Sequence, residues 1–398
     1  MPEWRKCALR ELGEIFDGPH ATPARKRTGP YFLNIASLSN GRLDLAASDH
    51  VDEDDFARWT RRVRPRAGDL LFSYETRLGE AALMPKDVEA CLGRRMALIR
   101  PNREFVDPRF LLYAYLSPYF QNVIEQNTVH GATVNRIPLN RMGSWEIPLP
   151  ELSEQKAIAE VLGALDDKIV ANDVVAASTA QLNRAEYRAA LRAGGSSTTI
   201  GDAVVLLTRG ITPRYVPDGA GVLVINQKCV RDQRVLTEPA RWTDVARVKP
   251  EKLLQSDDIL VNSTGQGTLG RVARWVQGDS ATVDSHVTIL RPDDSKWDRT
   301  IIGQAILDRQ TEIEALGEGS TGQTELSRVD LGQVRISLPD AGASRRLGER
   351  LRAVDALGSA ALQENRTLAA TRDALLPSLM SGTLHVRGAE ALASTAGA

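Results

Sequence analysis

Two stretches 189 residues apart share one unusual switch, from a proline-bounded strand into a long helix. The first is "WEIPLPELSEQKAIAEVLGALDDKI" at 145–169 and the second is "VRISLPDAGASRRLGERLRAVDALG" at 334–358. Five further matches keep the same order and nearly the same offset, 188 to 191 residues. "LGEI" (12–15) answers to "IGDA" (200–203), and "GPHATP" (18–23) to "RGITP" (209–213). "GDLLFS" (68–73) answers to "DDILVNS" (257–263), "ALIRPN" (97–102) to "TILRPD" (288–293), and "GATVN" (131–135) to "GSTGQ" (319–323). Six matches in register mark an internal duplication. A chain written twice is constrained to two copies of one fold.

Each copy divides into two parts. The first consists of short β-like runs broken by Gly, Pro and Asn, such as "DLLFSY" and "DDILVNS". One helix is expected inside each, over 107–126 and over 298–316. The second part is a long helix with apolar positions at alternating steps of four and three, the spacing of a coiled coil. The first seam runs Ile158, Leu162, Leu165, Ile169, Asn172, Ala176, Thr179. The second runs Leu347, Leu351, Val354, Gly358, Ala361, Asn365, Leu368. Asn172 and Asn365 are expected to fix register at some cost in stability. Gly194-Gly195 should end the first helix. "LLPSLMSG" (375–382) should kink or end the second, since Pro377 has no backbone donor.

The fold class expected is therefore α+β. Two globular mixed α/β domains are joined by two long antiparallel helices that form a coiled coil, with a pseudo-twofold internal repeat. The boundaries are 1–150, first domain; 151–195, first long helix; 196–340, second domain; 341–382, second long helix; and 383–398, a flexible tail. The competing arrangement packs each amphipathic helix on its own domain.

Composition excludes several function classes. No apolar run approaches the ~20 residues of a membrane span, and the N-terminus has no signal-peptide core. Cys7, Cys91 and Cys229 are distant in sequence and odd in number, which argues against a disulfide framework or a zinc site and for a reducing cytoplasm. The five histidines form no ligand-spaced pair, so no metal is expected. The net charge is −1. Residues 1–150 carry 21 Lys+Arg against 19 Asp+Glu, and residues 196–340 carry 17 against 20. Any nucleic-acid contact must then come from local arrangement.

The 147–169 stretch resembles the start of the central conserved helix in specificity (S) subunits of type I restriction–modification enzymes, HsdS. "TRDALLPSLMSGTL" (371–384) resembles the end of that family's second conserved helix. "GDLLFS", "RGITP" and "GSTGQ" resemble framework motifs of its target recognition domains. The second helix departs from the pattern, because "DAGASRRLGERL" lacks the Glu154-Gln155 pair of the first. The resemblance implies two target recognition domains, each reading half of a split, asymmetric double-stranded DNA site. It implies helices that act as a ruler and dock two modification (methyltransferase) subunits, with restriction (ATP-dependent translocase/nuclease) subunits joining them. It places S-adenosylmethionine, ATP and Mg on those partners and no cofactor in this chain.

No catalytic residues are expected. "GQGTLG" (265–270) fits G-x-G-x-x-G, but the following "RVARWVQGDSATV" reads as strand and turn, where a dinucleotide site needs a helix. There is no P-loop and no Pro-Pro of an amino-methyltransferase motif. Glu154-x-Lys156 is explained by helix-start chemistry. Candidate DNA contacts follow from residue type and loop position. In the first domain they are Arg25, Lys26 and Arg27 in a loop after Thr22-Pro23; Arg58, Arg61 and Arg62; Ser73, Tyr74 and Arg77; and Arg94 and Arg95. In the second they are Arg209, Arg214, Lys228, Arg231, Arg234, Asn262, Ser263, Gln266, Arg271, Arg274 and His286. Two other readings compete: a specificity-like subunit of a different bacterial defence complex, and a coiled-coil scaffold that binds no DNA.

Overall fold

The structure is a computed structural model that describes residues 4–19, 23–131, 134–276, 278–318 and 325–386. Thr22, most of the 383–398 tail, the 319–323 motif and two residues of the 131–135 motif lie outside the described residues. The chain divides into two compact units, Met1–Asn172 with Gln363–Ala398, and Asp173–Leu362.

In the first unit a four-stranded antiparallel sheet runs in the order Gly13–Asp17, Met96–Pro101, Leu70–Ser73, Ala81–Leu83. Leu70–Ser73 is buried on both faces, so it reads as an unbroken apolar run. Alternation along it still sorts the side chains. Leu70 and Phe72 join the cluster of Phe110, Leu111, Ile158, Leu162 and Leu368. Leu71 joins Leu33, Leu38, Leu92 and Leu98. That opposite layer includes the parallel pair Tyr31–Leu33 with Ala90–Leu92. Arg5–Ala8 and Glu146–Leu149 pair antiparallel and close the domain.

The second unit repeats the main sheet and its closing ribbon, with a fourth strand, Tyr215–Val216, added to the other layer. Its sheet runs Val204–Arg209, Val287–Pro292, Ile259–Asn262, Val272–Arg274. Ile259 and Val261 face the helical cluster, and Leu260 the other layer. Leu223–Ile225 pairs in parallel with Ala281–Val283. Gly195–Thr199 pairs with Arg335–Pro339 as the closing ribbon. The duplication read from the sequence is thus a duplication of topology.

Two expectations need correction. The helix expected over 107–126 is two helices, Pro108–Leu116 and Pro118–Asn127. Pro118 pushes Ser117 out of the helical region, and Ser117 Oγ then accepts from the Phe120 N–H as a new N-cap. The helix expected over 298–316 breaks likewise into Arg299–Leu307 and Gln310–Ala315. The second long helix spans Ala341–Met380 and so ends inside 375–382, as expected, with Pro377 in its last turn. The proline sits among Leu375, Leu379 and Met380, all buried in the core. Gly382, at φ 69°, closes the helix, its N–H bonding the Leu379 carbonyl.

The first long helix spans Leu152–Ala193 and ends before Gly194, at φ 146°. Within the first unit Asn365 donates to the Ile169 carbonyl at 3.3 Å, and Asn172 donates to Glu364 at 2.7 Å. Arg372 donates to Asp166, also at 2.7 Å. One number rises as the other falls, so these segments run antiparallel. Within the second unit Asn183 donates to the Leu351 carbonyl and to Asp355, at 3.1 and 2.7 Å. There Gly358 lies so close to Thr179 that an added Cβ would meet its Oγ1 at 2.5 Å. The seam residues are buried, except that Thr179, Val354 and Asn365 are half-buried.

The missing Glu-Gln pair of the second helix has a structural answer. Gln155 Oε1 accepts from the Asp107 N–H, and its Nε2 donates to the Phe105 and Pro150 carbonyls. In the second unit Ser344 Oγ accepts from the Asp298 N–H at 3.0 Å. One small hydroxyl replaces the bond that matters to both copies. Gln155→Met strands three backbone groups, one buried and two part-buried, and is expected to cost about 2–3 kcal/mol, against about 1 kcal/mol for Ser344→Ala. Urea unfolding of the two variants checks the order. Equal costs would contradict it.

Candidate nucleic-acid interface

The two copies share one feature beyond their cores, an open sheet end held by the same three backbone bonds. In the first domain Gly18 N–H bonds the Met96 carbonyl, Tyr74 N–H the Arg95 carbonyl, and Ile137 N–H the Tyr74 carbonyl, at 2.9, 3.1 and 2.8 Å. In the second domain the counterparts are Gly210 to Val287, Ser263 to His286, and Leu326 to Ser263, at 3.0, 2.8 and 2.8 Å. Isolated bridges complete each edge, Glu75 with Arg136 and Thr264 with Glu325. Glycine is required at 18 and 210, where a Cβ would lie 2.6 Å from the Gly93 carbonyl oxygen and 2.1 Å from that of Val283. The backbone frame is thus fixed, while the side chains on it differ between the copies.

In the first domain the sheet end is basic. Arg94 is exposed and has no side-chain partner among the described residues. Arg95 bonds Thr76 at 3.1 Å and pairs with Glu75 at 3.3 Å. The helix Glu53–Trp59 brings a second group to Asp17. A cleft of about 240 Å³ is lined by Asp17, Pro19, Arg58, Trp59, Arg61 and Arg62, among others. Arg58 lies over the Trp59 ring and Arg62 is paired with Asp17. Arg61 is exposed and has no partner among the described residues. In the second domain the corresponding frame carries His286, whose Nδ1 is hydrogen-bonded to Thr264 Oγ1 at 2.7 Å, and exposed Gln266. Exposed Lys228 follows Gln227, whose carbonyl accepts from Asn262 at 3.0 Å. Asp284 accepts from the His286 N–H, and burial pushes its carboxyl above the usual range.

Several sequence candidates are placed elsewhere. Lys26 and Arg27 begin the strand Lys26–Leu33 and are not in a loop. Leu33, at the other end of that strand, is what bonds Gly93 beside Arg94. Arg25 and Lys26 pair with Asp49 and Asp52, at 3.3 and 3.4 Å. Ser73, Asn262 and Ser263 are fully buried and hydrogen-bonded inside the fold. Tyr74 is buried with its hydroxyl on the Arg94 carbonyl, and burial raises its pKa, so it is an uncharged strut. Arg77 bonds the Ile35 carbonyl and Glu80. Arg271 folds back on the Gly267 carbonyl, and Arg214 pairs with Asp244. Arg231 and Arg234 flank a hairpin whose tip, Gln233, is bonded to Arg184 and to the Leu307 carbonyl.

Arg274 is the sharpest departure. It is interior, paired with Asp257 and Asp355. A buried cation survives when carboxylates compensate its desolvation, and neither partner is adjacent in sequence. "GQGTLG" is the turn of the antiparallel hairpin Ile259–Asn262 with Val272–Arg274, and no helix opens there. Sequence reasoning missed Arg136 and Glu325. Both follow the "GATVN" and "GSTGQ" motifs closely, and the Glu75–Arg136 and Thr264–Glu325 bridges put them at equivalent places.

The chain is thus a duplicated α+β fold that offers one structural frame twice, with different side chains on each. Residues 1–174 match the family described as type I restriction modification DNA specificity domain. The sequence is 23% identical to the putative type I restriction enzyme MjaX specificity subunit of Methanocaldococcus jannaschii, over 97% of this chain and 95% of that protein. It is 22% identical to the StySPI specificity subunit of Salmonella potsdam, over 77% of this chain and 71% of that one. The crystal structure of the type I system S subunit from M. genitalium shares the fold, with a TM-score of 0.56 at 16% identity, covering 94% of this chain and 96% of that one. The first 174 residues thus match the specificity-domain family, and the chain is similar to specificity subunits nearly from end to end.

Proposed function

We propose that this chain is the DNA sequence-recognition subunit of a type I restriction–modification enzyme. Each domain reads one half of a split, asymmetric duplex site with its open sheet end. The observation that carries the reading is the repeated frame, with Arg94 and Arg95 on one copy and Ser285 and His286 on the other. A shared scaffold with exchanged side chains is what two different half-sites require. The chain itself is non-catalytic. Methylation comes from two modification subunits that bring S-adenosylmethionine, and cleavage from restriction subunits that bring ATP and Mg. The assembly works in the cytoplasm. Among the described residues no helix is long and apolar enough to cross a membrane. The test is a salt titration of duplex binding by the full chain co-expressed with its modification subunits. Sequence-selective binding that weakens steeply with salt supports the reading, and no selectivity between duplexes contradicts it.

The first basic segment gives a graded expectation. Arg25 and Lys26 are already neutralised by Asp49 and Asp52, so replacing both with alanine should lower the salt slope by much less than ~0.9 per residue. Arg27, exposed and without a partner among the described residues, should account for most of any change in a triple variant. A full loss from Arg25→Ala alone would show that its ion pair opens on DNA.

A further inference from the structure

Two charged positions at the sheet end are reversed between the copies. Register makes them equivalent. Asp17 opposes Ala97 as Arg209 opposes Thr288, on the strands that carry Gly18 and Gly210. Arg136 bridges Glu75 as Glu325 bridges Thr264. The first domain thus has an acid on its first strand and a cation on the returning segment. The second has a cation on its first strand and an acid on the returning segment.

The reversal changes what is free. In the second domain Arg209 is three-quarters buried, ion-paired with Glu325, and bonded to the Leu326 carbonyl at 2.9 Å. In the first domain Asp17 is paired with Arg62 from the neighbouring basic segment. Arg136 is exposed and has no side-chain partner among the described residues. It stands beside Arg95 and Glu75, which engage each other. An ordinary structural salt bridge would keep the same partners in both copies or lose both. Here one copy sequesters its arginine and the other exposes one.

Resting on the reading of the sheet ends as DNA-binding surfaces, we infer that Glu325 holds Arg209 back from DNA, while Arg136 is left to bind a backbone phosphate. The two domains then hold DNA unequally. The first anchors through charge, with Arg61, Arg94 and Arg136 as cations without side-chain partners among the described residues. The second contributes more through Gln266 and His286, which carry hydrogen-bonding groups suited to base edges. Glu325 is a positioning residue, because it acts through Arg209.

The test is a salt titration of the full chain with its modification subunits on a mixed-sequence duplex, between about 50 and 200 mM salt. Arg136→Ala should lower the slope by about 0.9 and weaken binding roughly 5-fold at about 0.15 M. Glu325→Gln should do the opposite, raising the slope by about 0.9 and tightening binding by a similar factor. Removing any acid strengthens the general attraction to DNA, so the double variant Glu325→Gln with Arg209→Gln decides the cause. A return of its slope to the wild-type value identifies Arg209 as the released cation. A slope that stays raised overturns the restraint, and an unchanged slope in Glu325→Gln overturns it as well. Absence of duplex binding by the unmodified chain would instead remove the reading of the sheet ends themselves, and this inference with it.

Discussion

Asp258→Ala is expected to destabilise the second domain by about 3–5 kcal/mol, and Asp69→Ala the first domain by somewhat less. The two aspartates belong to the "GDLLFS" and "DDILVNS" motifs, and their surroundings match bond for bond. Asp69 accepts two bonds from Arg100, at 3.0 and 2.7 Å, and one from the Arg66 N–H. Asp258 accepts two from Arg291, at 3.0 and 2.8 Å, and one from the Gln255 N–H. Each arginine spends its remaining reach on a backbone carbonyl, that of Arg64 or Leu253. Removing either carboxylate leaves a guanidinium desolvated without its charge partner, which costs far more than losing a surface pair. The Arg291 side chain is 12% exposed against 26% for Arg100, so water rescues the first domain better. Hydrogen exchange of the two sheets, measured in each variant, separates the domains. A cost under about 1 kcal/mol in both would assign these pairs to the surface class.

The second large effect concerns DNA. Arg58, Arg61 and Arg94 are exposed at the basic sheet end, where none has a carboxylate partner among the described residues. If each neutralises one phosphate, their joint removal lowers the salt slope by about 2.7. At about 0.15 M salt that corresponds to about 3 kcal/mol, or roughly 100-fold in affinity. The preferred sequence should stay the same, because phosphate contacts position and do not specify. Retained affinity and slope would move the DNA surface away from this end. A changed preferred sequence would make at least one of the three a base reader.

How much of this was legible follows from what fixes each residue. The duplication was visible because the framework motifs sit where backbone geometry or buried charge tolerates few alternatives. Gly18 and Gly210 have no room for a side chain, and the buried Asp69 and Asp258 each hold a part-buried arginine. The long helices were visible because their seams follow a simple period. Candidate contacts were far less legible. An arginine in a β-rich stretch looks the same whether it meets solvent, like Arg94, or two distant carboxylates, like Arg274. Pairing across 81 residues, as between Arg274 and Asp355, leaves no local trace. The helix break at Pro118 had a local signal, Ser117-Pro118, which the apolar periodicity on both sides obscured. The break near Asp308 had none as strong.

The central claim is that each domain reads half of one site independently. The closing ribbon makes the second domain exchangeable, because Gly195–Thr199 and Arg335–Pro339 lie side by side and bring the two ends of the segment together. The decisive measurement replaces residues 196–340 with the corresponding domain of another specificity subunit and maps methylated adenines in a strain that carries the hybrid. The account predicts that one half of the methylated site changes and the other half is retained. A hybrid that changes both halves, or neither while remaining active, would contradict it.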